Sequence, residues 1–316
     1  MGVIGVDGGN TKTDLVAATL EGEVVAYVRG AGSNSHGPRG AAGSVDVIAS
    51  LVDGLAPVDH ATYFLCGADV PSDIAELTAE LEQRKWAAST TVDNDTFALL
   101  RAGTDRGDAV AVICGAGINS VGRNARGDVA RYPALGGETG DWGGGEPLGR
   151  EALYEASRAE DGRGEPTALV ELVRSHFGAP SAVAVGEDVH YRRLPSARLG
   201  ELAPGIVDVA AAGDPVARRL VERLADEVVA LVARSLRDLG LDEADVVLGG
   251  GMLAHDGFLA GLVADRLPAG AQPVFPSVPP VVGAVLDALE RADAPAAAAA
   301  RLRDAFALGI AARDVR

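Results

Sequence analysis

The sequence predicts an α/β protein built from two related domains, each a mixed sheet flanked by helices. Three observations carry that expectation. Val3–Val6 is an apolar strand running into Asp7-Gly8-Gly9, with a second strand after the turn. Ala109–Cys114 repeats the arrangement ahead of Gly115-Ala116-Gly117. Around these units, helix-like segments alternate with short strands, the alternation expected of a parallel or mixed sheet. A strand–glycine turn–strand unit that recurs about one domain apart suggests two related domains. The length, 316 residues, is enough for two domains of ordinary size.

Along the chain, Val3–Val6 is followed by strand-like runs at Asp14–Leu20 and, past the Glu21-Gly22 turn, at Glu23–Val28, an antiparallel meander. Gly40–Leu55 and Pro71–Lys85 read as helices, and Tyr63–Cys66 and Thr90–Val92 as strands. After the second glycine turn comes a strand-like run at Val121–Asn124, then a turn at Ala125-Arg126-Gly127. Aligned on these runs, Asp7-Gly8-Gly9 matches Gly115-Ala116-Gly117 and Thr11 matches Asn119. Val216, Leu220, Leu224, Val228, Leu231, Ser235 and Leu239 form one stripe of a helix, with charged residues opposite. Asp245–Leu248 is a strand entering Gly249-Gly250-Gly251, and a helix over about 294–311 closes the sequence.

Composition excludes several classes. Apolar residues make up 47% but aromatics only 4%, so the core is built mainly from Ala, Val and Leu. A net charge of −17 repels nucleic acid and anionic membranes, so neither is an expected partner. Cys66 and Cys114 form no C-x-x-C, which argues against a disulfide framework or a structural zinc site. No signal pattern and no run of about 18 apolar residues is present, and the expected location is the cytoplasm.

The first turn carries chemistry. Gly8 and Gly9 allow a tight turn and close approach of the backbone to a ligand, and the N–H groups of such a turn form an anion-binding concavity. Asp7 is placed to hold a metal-bound water, and Thr11 and Lys12 to reach phosphate oxygens. Lys12 is one of only two lysines in a chain that otherwise uses arginine. Taken alone, the segment fits a glycine-rich hairpin equally well. It is neither a G-x-x-x-x-G-K-[ST] loop nor a G-x-G-x-x-G loop, which argues against P-loop and dinucleotide folds.

Four elements in order, D-G-G-x-T-K-T at Asp7–Thr13, G-A-G-x-N-S at Gly115–Ser120, G-G-G at Gly249–Gly251 and P-x-x-G-A at Pro280–Ala284, resemble the sugar kinase/actin/Hsp70 ATPase superfamily. Within it the chain looks like the BadF/BadG/BcrA/BcrD type, whose best-known members are N-acetylglucosamine kinases. The resemblance implies two ribonuclease H-like domains with ATP in the cleft between them. Residues 1–108 with a C-terminal helix at about 295–316 would form one domain, and 109–294 the other. It implies that Gly8, Gly9, Asn10, Thr11 and Lys12, with Gly115, Ala116, Gly117 and Asn119, bracket the ATP phosphates. Asp7 would hold Mg²⁺ through water, and Gly249, Gly250 and Gly251 would lie under the adenosine. Val92–Ala98 resembles the family's V-x-N-D-x-x-A-x motif and assigns the general base to Asp95 rather than Asp93. Asp95 is equally placed to cap the helix that follows.

The resemblance also implies substrate contacts at Asn34, Asn119, Glu138 and Asp141. Leu135 and Trp142 depart from the family's sugar loop, where tryptophan and glutamate stand, so N-acetyl specificity is left open. The expected activity is ATP-dependent phosphorylation of an amino sugar or N-acetylhexosamine, the 6-OH being the first candidate. A small sugar is the expected partner, and a homodimer is an option. The alternative is a [4Fe–4S] activator ATPase of the 2-hydroxyacyl-CoA dehydratase or benzoyl-CoA reductase type, which uses two cysteines per subunit. Cys66 and Cys114 read better as buried small residues.

Overall fold

The structure is a computed structural model that describes residues 2–55, 57–253 and 257–309. The final residues of the expected C-terminal helix, 310–316, lie outside it. In chain order the elements are β1 (Gly2–Gly8), β2 (Lys12–Thr19), β3 (Val24–Ala31), α1 (Gly40–Val52), β4 (Val58–Leu65), α2 (Pro71–Arg84), β5 (Ala87–Asn94) and α3 (Thr96–Gly103). Next come β6 (Ala109–Cys114), β7 (Ile118–Arg123), β8 (Val129–Arg131), α4 (Gly145–Glu160), α5 (Leu169–Phe177), α6 (Ala182–His190), α7 (Ala203–Ala211) and α8 (Pro215–Leu239). The last are β9 (Ala244–Gly249), α9 (Phe258–Arg266), β10 (Ala271–Val274), α10 (Pro280–Arg291) and α11 (Ala296–Ala307).

Two five-stranded sheets result, in the orders β3-β2-β1-β4-β5 and β8-β7-β6-β9-β10. The second order is the first with every strand advanced by five, so the duplication extends from the glycine turns to the whole sheet. Both sheets are mixed. β1 pairs antiparallel with β2 and parallel with β4, while β7 and β8 are antiparallel and β9 and β10 parallel.

Contacts divide the described residues into two units. One holds residues up to 111, 125–127 and those from 276 on; the other holds 112–124 and 128–275. The first unit is layered. Ile4, Val6, Leu15, Tyr63 and Leu65 meet Ile48, Leu77 and Leu81 of α1 and α2 on one sheet face. Val3, Val16 and Ala18 meet Val281, Val285 and Leu302 of α10 and α11 on the other. This places α10 in the first unit, whereas the division at 109–294 puts it in the second. α10 packs its Val281, Val282 and Val285 on the sheet, and Gly283 lets it approach α3 so closely that no Cβ would fit beside Ala98 O. In the second unit, α8 starts where the Asp214 carboxylate accepts the Val216 and Ala217 N–H groups at 3.0 and 2.9 Å. It ends at Gly240 in the left-handed region. Its apolar stripe, from Val216 to Leu239, is buried as the periodicity predicts.

Candidate active site

β1, β4 and β5 run parallel, so their C-terminal ends lie side by side, where open α/β sheets place ligands. Asp7 is near the end of β1, Cys66–Asp69 follow β4, and Asn94–Asp95 end β5. Three loops are tied together there. The first turn closes with Gly9 N–H donating to Lys12 O at 2.9 Å. Ser33 N–H donates to Gly9 O at 3.1 Å, and Ser35 Oγ donates to Gly67 O at 3.1 Å. The loop carrying Asn34 therefore bridges the glycine turn and the Cys66–Gly67 loop. Asn34 Nδ2 donates to Asn10 Oδ1, while its own Oδ1 accepts the His36 N–H at 2.8 Å. Gly8 must be glycine, since a Cβ there would strike Ser33 Oγ and Leu65.

Asp95 sits at the N-cap of α3, yet its side chain makes no capping hydrogen bond. Asn94 does that work: its Oδ1 accepts Thr96 N–H at 3.0 Å, and its Nδ2 donates to Asp69 Oδ1 at 2.7 Å. The Asp95 carboxylate is thus not consumed as the side-chain cap of the helix. Burial, then the neighbouring Asp7 and Asp69 charges, push its pKa up to about 8, only partly offset by the N–H groups of Thr96 and Asp95. Asp7 is pushed up to about 7, first by burial and then by Asp14, against the opposing pull of Lys12 and Arg29. A carboxylate crowded in this way gains from a cation. Among the described residues no three His, Cys, Asp or Glu are grouped to hold a metal by protein ligands alone. One carboxylate completed by water and phosphate oxygens is how Mg²⁺ commonly binds, and Asp7 fits that role.

The second turn is made differently. β6 and β7 are separated by Gly115-Ala116-Gly117 alone, closed by Gly115 N–H donating to Gly117 O at 2.9 Å. The same displacement separates Gly8 from Cys114 and Lys12 from Ile118, so the two turns are equal in length. Gly9 therefore corresponds to Gly115, Thr11 to Gly117, and Thr13 to Asn119. This corrects the pairing of Thr11 with Asn119 by two residues: Asn119 lies in β7, not in the turn. Gly115 O and Ala116 O accept the N–H groups of Gly145 and Glu146 at 2.7 and 3.0 Å, which docks the start of α4 on the turn. Gly249–Gly251 packs on the same strand end. Met252 N–H donates to Cys114 O at 3.0 Å, and Gly250, at φ +90°, leaves no room for a Cβ beside that carbonyl.

The remaining expected substrate residues are held locally. Asn119 Oδ1 accepts Ser120 N–H at 2.7 Å. Asp141 Oδ2 accepts Gly136 N–H at 2.7 Å and Thr139 Oγ at 3.2 Å, closing its own loop, and the Asp141 carboxylate also interacts with the Tyr132 hydroxyl, whose pKa it helps raise. Glu138 is exposed on the short 3-10 turn Gly137–Thr139. Trp142 carries the Arg223 guanidinium 3.8 Å from its ring centroid. Both cysteines are buried, and burial raises both thiol pKa values, Cys114 to about 12, as expected of small core residues.

Two features of the first unit escape the sequence motifs. Asp69 stands beside Asp95, and its only sequence signal is that it follows a strand end. Asp14 takes the Lys12 ammonium at 3.0 Å and the Arg29 guanidinium at 2.6 and 3.0 Å, a pairing across β2 and β3 that no linear motif records.

Residues 4–288 match the BadF/BadG/BcrA/BcrD ATPase family. The chain belongs to that family. A Dictyostelium discoideum N-acetyl-D-glucosamine kinase is 25% identical over 84% of this chain and 89% of its own length. An N-acetylmuramic acid/N-acetylglucosamine kinase of Clostridium acetobutylicum is 25% identical over 81% of this chain and 87% of its own. A solved Chromobacterium violaceum structure, provisionally named N-acetylglucosamine kinase, superposes with a TM-score of 0.70 at 22% identity, over 90% of this chain and 98% of that one. Together with the paired five-stranded sheets, that likeness shows the two-domain actin-like ATPase fold of the family.

Proposed function

We propose that this protein is an ATP-dependent kinase that phosphorylates a hydroxyl group, the 6-OH first, of an amino sugar or N-acetylhexosamine such as glucosamine or N-acetylglucosamine. The observation that carries the proposal is Asp95. It is a carboxylate at the ends of three parallel strands, relieved of helix capping by Asn94 and poised by its surroundings near neutral pH. A general base works best when its pKa lies near the working pH.

In this reading Asp95 accepts the proton of the attacking sugar hydroxyl, and Asn34 orients the sugar. The N–H groups of the turn at 8–12 receive phosphate oxygens and the Lys12 ammonium neutralises them. The turn at 115–117 supplies a second set of backbone donors, and Gly249–Gly251 leaves room for the adenosine. Asp7 would hold Mg²⁺ through water, and the ion would supply neutralisation of the phosphate charge, on which phosphoryl transfer depends together with positioning. The family membership and the relatives named as sugar kinases support the same activity. The test is sugar-dependent ADP release with Mg²⁺, screened over glucosamine, N-acetylglucosamine, N-acetylmannosamine, N-acetylmuramic acid and glucose. Turnover with one or more of these is expected. Silence across the panel, with ATP still bound, would sink the proposal.

A further inference from the structure

We propose that Asp14 is a positioning residue, a buried carboxylate that holds the Lys12 ammonium at the mouth of the first turn and is itself fixed in place by the Arg29 guanidinium. The inference rests on Lys12 being a phosphate contact and adds to it the device that fixes the lysine in place.

Lys12 and Asp14 are two residues apart on β2 and so share a sheet face, and Asp14 is paired with Arg29 across β2 and β3. The Asp14 side chain is fully buried, whereas those of Lys12 and Arg29 are 49% and 54% exposed. Its oxygens are saturated. Oδ1 accepts Arg29 Nε at 2.6 Å and the Tyr27 hydroxyl at 3.3 Å, and Oδ2 accepts Arg29 Nη2 and Lys12 Nζ, each at 3.0 Å. Burial alone would favour the protonated acid. The hydrogen bonds from Arg29 and Lys12 outweigh it and hold the Asp14 pKa below the usual carboxylate range. The two-pronged Arg29 contact also fixes the carboxylate plane, as a guanidinium fork does.

For Lys12 the consequence is direct. An ammonium has three donors, and Asp14 takes one. The other two remain on the half-exposed side of the group, available to an anion on the turn. Lysine carries large rotamer freedom, and an ion pair formed before the ligand arrives removes part of the ordering cost of binding. The second turn, with Ile118 and Ser120 at the corresponding positions, has no such pair.

The test is a double-mutant cycle read by calorimetric titration of AMPPNP with Mg²⁺, using wild type, Lys12→Ala, Asp14→Asn and the double variant. Lys12→Ala should weaken AMPPNP about tenfold, as loss of one charge-assisted hydrogen bond implies. Asp14→Asn should approach that loss, and the double variant should be no worse than Lys12→Ala alone, since the two act as one unit. The KM for the sugar should stay within about twofold throughout, because the Asp95 side of the site is untouched. Multiplying losses in the double variant, or wild-type affinity in Asp14→Asn, would overturn the role of Asp14. Wild-type affinity in Lys12→Ala would instead remove Lys12 from the phosphate site, a separable failure. Should Asp14→Asn fail to fold, Asp14→Glu enters the same cycle. It keeps the charge and displaces the carboxylate, so a smaller loss with the same non-additivity is expected, and additivity again refutes the proposal.

Discussion

The two glycine turns are equal in length but differ in closure and in electrostatics. Each joins the first two strands of its sheet through three residues, Gly9–Thr11 and Gly115–Gly117. The first is surrounded by charge, with Asp7 before it, Lys12 and Asp14 after it on β2, and Arg29 on the neighbouring β3. The second has Ile113 and Ile118 at the positions of Asp7 and Lys12, and its carbonyls are occupied by the N-terminal amides of α4. The strand order and the length of the turn recur, whereas the turn closure and the side chains differ. On the proposed function, the first turn would serve the metal and the phosphates through charged side chains, and the second would hold its ligand by backbone alone.

That contrast is most exposed to substitution at Asp95. Asp95→Asn should lower kcat for sugar phosphorylation by roughly 10²–10⁴-fold, the usual share of a general base. AMPPNP affinity should remain within a few-fold of wild type in the same preparation. Coupled ADP release and calorimetry measure the two, and retention of most turnover would return Asp95 to a purely structural role. The corresponding break in the second unit is steric rather than ionic. Gly250→Ala puts a side chain on a residue at φ +90° and into the Cys114 carbonyl. It should destabilise the protein by roughly 1–3 kcal/mol, the range for one strained backbone position, and weaken nucleotide binding with it. An unchanged melting temperature would show that the Gly249–Gly251 turn has slack.

The sequence made the sheets legible because their repeat is local: an apolar strand, glycines, another strand. It offset the turns by two residues because the first strand was read as ending at Val6, whereas β1 runs on to Gly8 while β6 ends at Cys114 as read. The candidate base was marked by the resemblance at Val92–Ala98, but its freedom from capping was not, since that depends on Asn94 reaching to Thr96 and across to Asp69. The Asp14 clamp was hidden for the same reason: Arg29 and Asp14 meet only once β2 and β3 pair. Contacts made between strands leave no periodicity to read, and the helices between residues 145 and 211 announce themselves only weakly.

The crowding of carboxylates around the first turn predicts a pH dependence of stability that the second turn cannot produce. Asp7 and Asp95 have folded pKa values of about 7 and about 8, above the unfolded value of about 3.9. The folded state therefore binds more protons than the unfolded one between these limits, and their contribution to stability falls as pH rises through that window. In metal-free protein the melting temperature should drop from pH 5.5 to 8.5 and level off above. Asp95→Asn should flatten part of that drop, because the amide has no proton to lose. Adding Mg²⁺ and ATP should oppose it, since a ligand that binds only the folded state stabilises it. Parallel melting curves for wild type and Asp95→Asn across this range would mean that Asp95 carries no such strain.

The smallest effect sharpens the contrast within the second unit itself. Glu138 is exposed, whereas Asp141 spends Oδ2 on its own loop. If the charge of Glu138 meets the substrate, it does so in solvent, where an ion pair contributes at most about 1 kcal/mol. Glu138→Gln should then raise the KM for glucosamine, whose amine is cationic, by no more than about fivefold, and leave N-acetylglucosamine unchanged, a difference set by that same limit. Asp141→Asn acts through a different route. It weakens the acceptor that holds Gly136 and Thr139, so it should raise the KM for both sugars together. Steady-state KM values for the two sugars in the two variants separate a charge that selects the amine from a loop that shapes the whole site. An equal rise for both sugars in Glu138→Gln would assign Glu138 to the loop as well, and the second unit would then be neutral at the acceptor as it is at the turn.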